Sequence, residues 1–254
     1  MKHNIAIIIT CAALISVVFF LHESIYAKWL IVGVILLFLS IVAIGTSFIQ
    51  LNYFVESINK GNNKGIALTF DDGPNSEITP QILAILEKEN IKATFFVIGN
   101  KIKKNESLLK KINNQGHLIG NHSYSHNNQI TLYLTKKLKA DIIKCNEIIE
   151  QVIAKKPLFF RPPFGVTTPR YKRALKQLNM QSIGWSIRSF DTQSKNKELL
   201  YKKITKQISD GSIILFHDTQ QITLDVLPGI IQFCKINGIN IVPLHELINY
   251  QPYE

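Results

Sequence analysis

Charge is almost missing from the first 54 residues of this 254-residue chain, where Lys2, Glu23 and Lys28 are the only charged side chains. Such a stretch cannot supply the charged surface of a water-soluble domain, so it stands apart from the rest of the chain. Charged residues are sparse overall, at 19% against 46% hydrophobic, which excludes a disordered or collagen-like chain. Cysteine is scarce as well. Cys11, Cys145 and Cys234 cannot build a disulfide framework, and none belongs to a CxxC pair or a Cys/His ligand spacing, so all three read as buried free thiols. The lysines lack interleaved aromatics, which argues against nucleic acid as a partner. No feature calls for an obligate protein partner.

What the N-terminal part does contain is two uncharged runs, residues 5–21 and 29–51. A bilayer core takes about 20 apolar residues, so residues 1–54 read as a membrane anchor of two transmembrane helices with the lipid bilayer as a partner. The competing reading makes the first run a signal peptide, with Ala27 before the cut. A helical hairpin returns both ends to one side. Lys2, Lys60 and Lys64 slightly outnumber Lys28 of the link, and the positive-inside rule taken alone puts the large domain in the cytoplasm.

Two of the 29 basic and one of the 18 acidic residues fall in the anchor, so residues 55–254 carry a formal charge of +10. That balance suits an anionic surface such as phospholipid or acidic glycan. Apolar runs at 66–70, 94–98, 118–120, 158–160, 182–185, 212–216 and 239–242 read as buried strands, alternating with helical periodicity at 80–88, 136–153, 169–178, 198–208 and 224–236. Thr79 and Thr135 are expected as helix caps, with Pro80 at a first helical position, and Asn237-Gly238 as a helix stop. Seven strands in this alternation imply a parallel sheet, either an incomplete barrel or an open doubly wound sheet, with its chemistry at the C-terminal strand ends.

Four polar clusters fall at those ends. Thr69-Phe70-Asp71-Asp72-Gly73-Pro74 closes one strand with adjacent carboxylates that project differently, so one is free to bind a metal while the other handles a proton. His122-Ser123-Tyr124-Ser125-His126 places two imidazoles at i and i+4, on one face if the turn is helical. With one carboxylate they make a zinc-type ligand set that leaves a position for water. Arg161-Pro162-Pro163-Phe164-Gly165 is a stiffened loop, and Phe216-His217-Asp218 ends another strand. Taken singly, each also reads as an ordinary surface turn or structural corner.

Together, in order and approximate spacing, the four clusters resemble the polysaccharide deacetylase (NodB-homology) family of carbohydrate esterases, over roughly residues 64–248. The resemblance implies a deformed (β/α)7 barrel in residues 55–254 that removes N-acetyl, occasionally O-acetyl, groups from amino-sugar polymers, with carbohydrate as the substrate partner. It assigns Asp72, His122 and His126 to one divalent metal ion, usually zinc. It assigns Asp71 as general base, oriented by Arg161, and His217 as general acid. The backbone N–H of Phe164 would help bind the oxyanion. In one stretch the chain departs from the family pattern: in residues 185–192, Arg188 stands where an acid is usual, leaving Asp191 to hold His217. Arg188 nearby is expected to lower the pKa of His217.

The resulting expectation is a membrane-anchored, metal-dependent amino-sugar deacetylase. Most members of that family act on cell-wall or extracellular glycans, and few charges set the topology, so the catalytic domain is expected on the extracytoplasmic side. The alternatives are a deacylase or deformylase of lipid-linked sugars at the bilayer surface, and a glycan-binding protein without activity.

Overall fold

The computed structural model describes residues 2–254. It opens with two antiparallel helices, α1 (Lys2–Leu21) and α2 (Ala27–Ser47), each long and apolar enough to cross a membrane by length and composition. Their side chains lie almost entirely outside any core. Cys11 is exposed on α1, contrary to expectation, because α1 buries no face deeply; Cys145 and Cys234 are buried as expected. The second apolar run does not stay helical to residue 51. Phe48 turns to extended backbone, and Ile49–Leu51 forms a 3-10 turn whose Ile49 inserts into the core of the large domain.

That domain alternates strand and helix. After β1 (Ser57–Ile58), β2 (Ala67–Asp71) leads into α3 (Thr79–Lys88) and β3 (Thr94–Val97), followed by α4 (Gly99–Ile102), α5 (Glu106–Asn114) and β4 (Leu118–Asn121). The long α6 (Thr135–Ile153) connects to β5 (Phe159–Phe160), and α7 (Pro169–Gln177) to β6 (Gln181–Ile183). The chain ends with β7 (Ile187–Arg188), α8 (Lys197–Thr205), β8 (Ile213–His217), α9 (Gln221–Ile236) and α10 (Leu244–Ile248). All residues of β2, β3 and β4 are buried, the pattern of parallel strands covered on both faces.

The strands form one sheet in the order β1-β6-β5-β4-β3-β2-β8-β7, and every pairing is parallel. It curls into an open half-barrel, the deformed parallel barrel expected, with eight strands instead of seven. Residues 239–242 form no strand: Ile241 makes only an isolated bridge to Ile66. β1 and β7, two residues each, are too short to show periodicity, and β1 takes the place beside β6 where β7 would close the barrel.

The outer face of the sheet packs under α3, α5, α6 and α9, with Phe70 stacked between Phe95 and Phe216 at 5.0 and 5.9 Å. A second cluster, of Phe96, Phe159, Ile183, Trp185 and Leu215, lies against α10. Gly238, at φ +64°, ends α9 as expected, and Pro80 occupies the first turn of α3. Thr79 and Thr135 are not caps. Asn75 accepts the Glu77 and Ile78 N–H groups ahead of α3, which frees the Thr79 hydroxyl to donate to Asp218 at 2.6 Å; Leu134, with no capping side chain, precedes α6.

Candidate active site

β2 and β8 are parallel neighbours with Asp71 opposite His217, so both side chains leave the C-terminal edge of the sheet at the same level. β4 delivers His122, and β5 delivers Arg161 one strand further along. The convergence expected at the strand ends is therefore produced by strand register.

Arg161 is fully buried, and its side-chain hydrogen bonds fix the guanidinium beside Asp71. Nη1 donates to Asp71 Oδ1 at 2.7 Å and to Thr69 Oγ1 at 2.8 Å. Nη2 and Nε donate to the carbonyls of Gly184 (2.9 Å) and Ile183 (3.2 Å), and the guanidinium lies 4.1 Å from the centre of the Phe96 ring. Burial pulls the guanidinium below its ordinary value, and Asp71 opposes that pull.

Asp72, His122 and His126 come together, with their ligand atoms within 4.8 Å of one another. Asp72 Oδ1 lies 3.5 Å from His122 Nε2 and 3.3 Å from His126 Nε2. That oxygen is buried and has no hydrogen-bond partner among the described residues. His122 Nδ1 sits 2.8 Å from the Arg161 carbonyl oxygen, an acceptor that orients the ring with Nε2 towards Asp72. Burial, then the neighbouring His122, pushes His126 down to about 4, so His126 offers a neutral nitrogen. Two imidazoles turned to one point and an orphaned carboxylate oxygen fit one divalent cation.

The expected helical turn between the histidines is absent. Ser123 (φ 69°) and His126 (φ 43°) adopt left-handed backbone, and the loop is pinned because Asp141 of α6 accepts the Tyr124 and Ser125 N–H groups and Ser123 Oγ accepts that of His126. Asp72 is itself left-handed, at φ 74°.

Asp191 Oδ1 lies 2.7 Å from His217 Nδ1, while Oδ2 accepts the His217 N–H and the Thr223 hydroxyl, both at 2.7 Å. Burial works to lower His217, but the hydrogen bond and charge of Asp191 hold it above its ordinary value. Burial likewise works to raise Asp191, and His217 and Thr223 hold it below the usual carboxylate range. The lowering of His217 expected from Arg188 does not occur. The Arg188 guanidinium is exposed and lies over the Trp185 and Phe190 rings at 5.9 and 4.9 Å, while Asp191 bonds the imidazole directly.

Phe164 (φ 62°) makes no hydrogen bond through its N–H among the described residues, and its ring lies 4.8 Å from that of His126. Gly165 beside it is held against Trp185 so closely that a Cβ would meet the indole at 2.4 Å.

Asp218 escaped the sequence reading. It is fully buried, and burial first, then Asp72, raises its carboxyl to about 7, against the Thr79 hydroxyl. A Cβ on Gly73 would collide with it at 2.0 Å, so Gly73 is the residue that lets the Asp71–Asp72 turn pass. Asn121, bonded to Asn146 of α6 and to the Ser123 N–H, was also missed. The only sequence signal for Asp218 is an acid directly after a strand-end histidine.

The polysaccharide deacetylase family model matches residues 58–183. The Listeria monocytogenes peptidoglycan-N-acetylglucosamine deacetylase PgdA is 35% identical over 185 residues, which are 73% of this chain but only 39% of that protein. The Bacillus subtilis peptidoglycan-N-acetylmuramic acid deacetylase PdaA is 31% identical over 208 residues, 78% of this chain and 79% of that one. Among solved structures, the Bc1960 peptidoglycan N-acetylglucosamine deacetylase, in complex with an N-hydroxybenzamide, superposes with a TM-score of 0.74 at 33% identity, over 77% of this chain and 94% of that one.

Metal analysis of the purified full chain tests the ligand set. We expect one divalent ion per chain, and in His126→Ala a loss of affinity greater than the roughly 10–100-fold that losing a group behind a ligand costs; full occupancy in that variant would remove His126 from the site.

Proposed function

Since the chain belongs to the polysaccharide deacetylase family, we propose that it is a membrane-anchored, metal-dependent hydrolase that removes N-acetyl groups from the amino sugars of peptidoglycan. The observation that carries this reading is that Asp71, bonded to Arg161, and His217, bonded to Asp191, stand on adjacent strand ends beside the Asp72–His122–His126 cluster.

The chemistry requires water to add to the amide carbon, the C–N bond to break, and acetate and a free amine to leave. Asp72, His122 and His126 would hold the ion, proposed as zinc from its donor set, and when bound it supplies Lewis-acid polarisation of the acyl oxygen and acidifies water. Asp71, held by Arg161, accepts the water proton. The Phe164 N–H donates to the oxygen on which negative charge develops. His217, protonated because Asp191 raises its affinity for the proton, donates to the departing amine. Phe164, half exposed, marks the mouth through which the sugar enters.

We read α1 and α2 as retained spans. His3 supports this, since its ring packs at 4.7 Å on Phe54 and its Nδ1 lies 3.1 Å from the Tyr53 hydroxyl, so the start of α1 is part of the folded structure. The peptidoglycan named for the relatives lies outside the cytoplasm, which favours an extracytoplasmic domain over the weak charge bias.

Three outcomes test the reading. Asp71→Asn retains the metal but loses about 10²–10⁴-fold in kcat on acetylated glycan; near wild-type turnover would unseat Asp71 as base. Asp191→Asn removes the group that raises His217, so the protonated form persists only to lower pH and the alkaline limb of the kcat/KM profile moves down; an unmoved limb would mean that another group is the acid. A reporter fused after Glu254 is expected to read as extracytoplasmic, and a cytoplasmic signal would reject the wall-glycan substrate.

A further inference from the structure

No tether separates the second apolar helix from the catalytic domain. α2 ends at Ser47, and two residues later Ile49 is 1% exposed, in the same cluster as Phe96 and Trp185. The Gln50 amide donates to the Trp185 carbonyl at 3.3 Å, and the Thr167 N–H donates to the Thr46 carbonyl at 3.0 Å. Thr167 closes the loop that carries Arg161 and Phe164, and Trp185 backs Gly165. The hairpin is thus fastened to one wall of the candidate active site.

The loop after His126 shares an apolar cluster with it. Ala6 of α1, Val42 of α2 and Tyr133 all pack on the cluster that contains Tyr53, Phe54 and Ile130. At 1.5 Å of rise per residue, Val42 lies about 7–8 Å along the axis from the end of α2. The headgroup layer on each side of a bilayer is about 5–8 Å thick. If α2 spans the bilayer, the cluster that Val42 packs on, Ile130 included, lies at the membrane surface.

That loop is built for such a place. Leu132 and Leu134 flank Tyr133 and are 71% and 68% exposed. Arg170 Nη1 donates to the Leu132 carbonyl at 2.8 Å, Lys137 Nζ stands 3.8 Å above the Tyr133 ring, and Lys136 beside it is exposed. Two outward leucines ringed by three cations match the composition of a segment that enters the interface of an anionic membrane.

We propose that the loop of residues 130–134 docks into the bilayer that holds α1 and α2, seating the mouth of the active site against the headgroups, so that the substrate is a glycan still attached to the membrane. This rests on the readings of α1 and α2 as spans and of the chain as a deacetylase. The cleft cannot swing towards a distant polymer, because its Phe164 loop is bonded to the hairpin through Thr167 and the segment after His126 shares the hairpin's apolar cluster.

The test uses the full chain in phosphatidylcholine–phosphatidylglycerol vesicles with and without brominated acyl chains. The unsubstituted protein has two tryptophans, Trp29, exposed on α2, and Trp185, buried in the domain. Quenching of its emission reports whether α2 is in the bilayer. In Leu132→Trp and Leu134→Trp the added emission is expected to fall at least two-fold in brominated lipid. Quenching of Trp29 without quenching of the added indole would overturn the docking and leave the spans intact; no quenching of Trp29 would overturn the spans and the docking with them. For the substrate, a Leu132→Ser/Leu134→Ser double variant should act at least ten-fold more slowly on a lipid-linked acetylated glycan in the vesicles. Its rate on soluble N-acetylglucosamine oligomers, which also certifies the fold, should be unchanged. Equal rates of variant and wild type on the lipid-linked glycan would overturn the substrate assignment. If the wild type is inactive on both, the deacetylase reading falls, and the quenching alone decides the docking.

Discussion

A guanidinium with no access to water, bonded to a carboxylate at the end of a strand, is the constraint around which this domain is arranged. Removing one partner from such a pair leaves an uncompensated buried charge, at a cost of about 3–5 kcal/mol. The sheet answers it with acceptors from two sides of the strand that carries Arg161: Thr69 and Asp71 from β2, and the carbonyls of Ile183 and Gly184 at the end of β6. Three separate segments must therefore be in register before Arg161 is satisfied. The same residue's carbonyl orients His122, so the arginine couples the proposed base to the ligand cluster through one backbone unit.

The second half of the site obeys different rules. His217 and Asp191 are held by a loop whose Phe190 is left-handed at φ 64°, and by the Thr223 hydroxyl from α9. Here a carboxylate sets the protonation of an imidazole, where across the sheet a guanidinium sets the surroundings of a carboxylate. Neighbouring strands thus present one group suited to take a proton and one suited to give it. This difference in environment, within one sheet edge, is what would separate the proposed acid from the proposed base.

Much of this was legible in the chain. Runs such as 67–70 and 213–216 are apolar at nearly every position, which only a strand covered on both faces tolerates, and the polar residues that interrupt them had to lie at strand ends. The clustering of Asp71, Asp72, His122, Arg161 and His217 followed from that. The pairing of His217 with Asp191 was also foreseen, but not its indifference to Arg188, whose charge is spread over aromatic faces. What sequence could not disclose were backbone states. Asp72, Ser123, His126 and Phe164 all take the left-handed conformation that sequence rules reserve for glycine, and the histidines meet through such a loop where a helical turn was expected. β1 and β7 lack the length to show a period. Ile49 reads as membrane-spanning because burial in a protein core and burial in lipid select the same side chains.

The position of β1 bears on the order in which the molecule assembles. It and Ile49 leave the ribosome early, yet β1 pairs with β6, so Ser57 waits for Ser182, whose hydroxyl lies 2.7 Å from its own. Closing a pairing across 125 residues is slow compared with forming a helical hairpin. The apolar helices, synthesised first, are committed to their surroundings before the sheet can exist. The catalytic domain is then left to mature around a fixed post, with its first strand and first core residue already anchored, and a chain released without that post would have to fold with one edge of its sheet and part of its core unfilled.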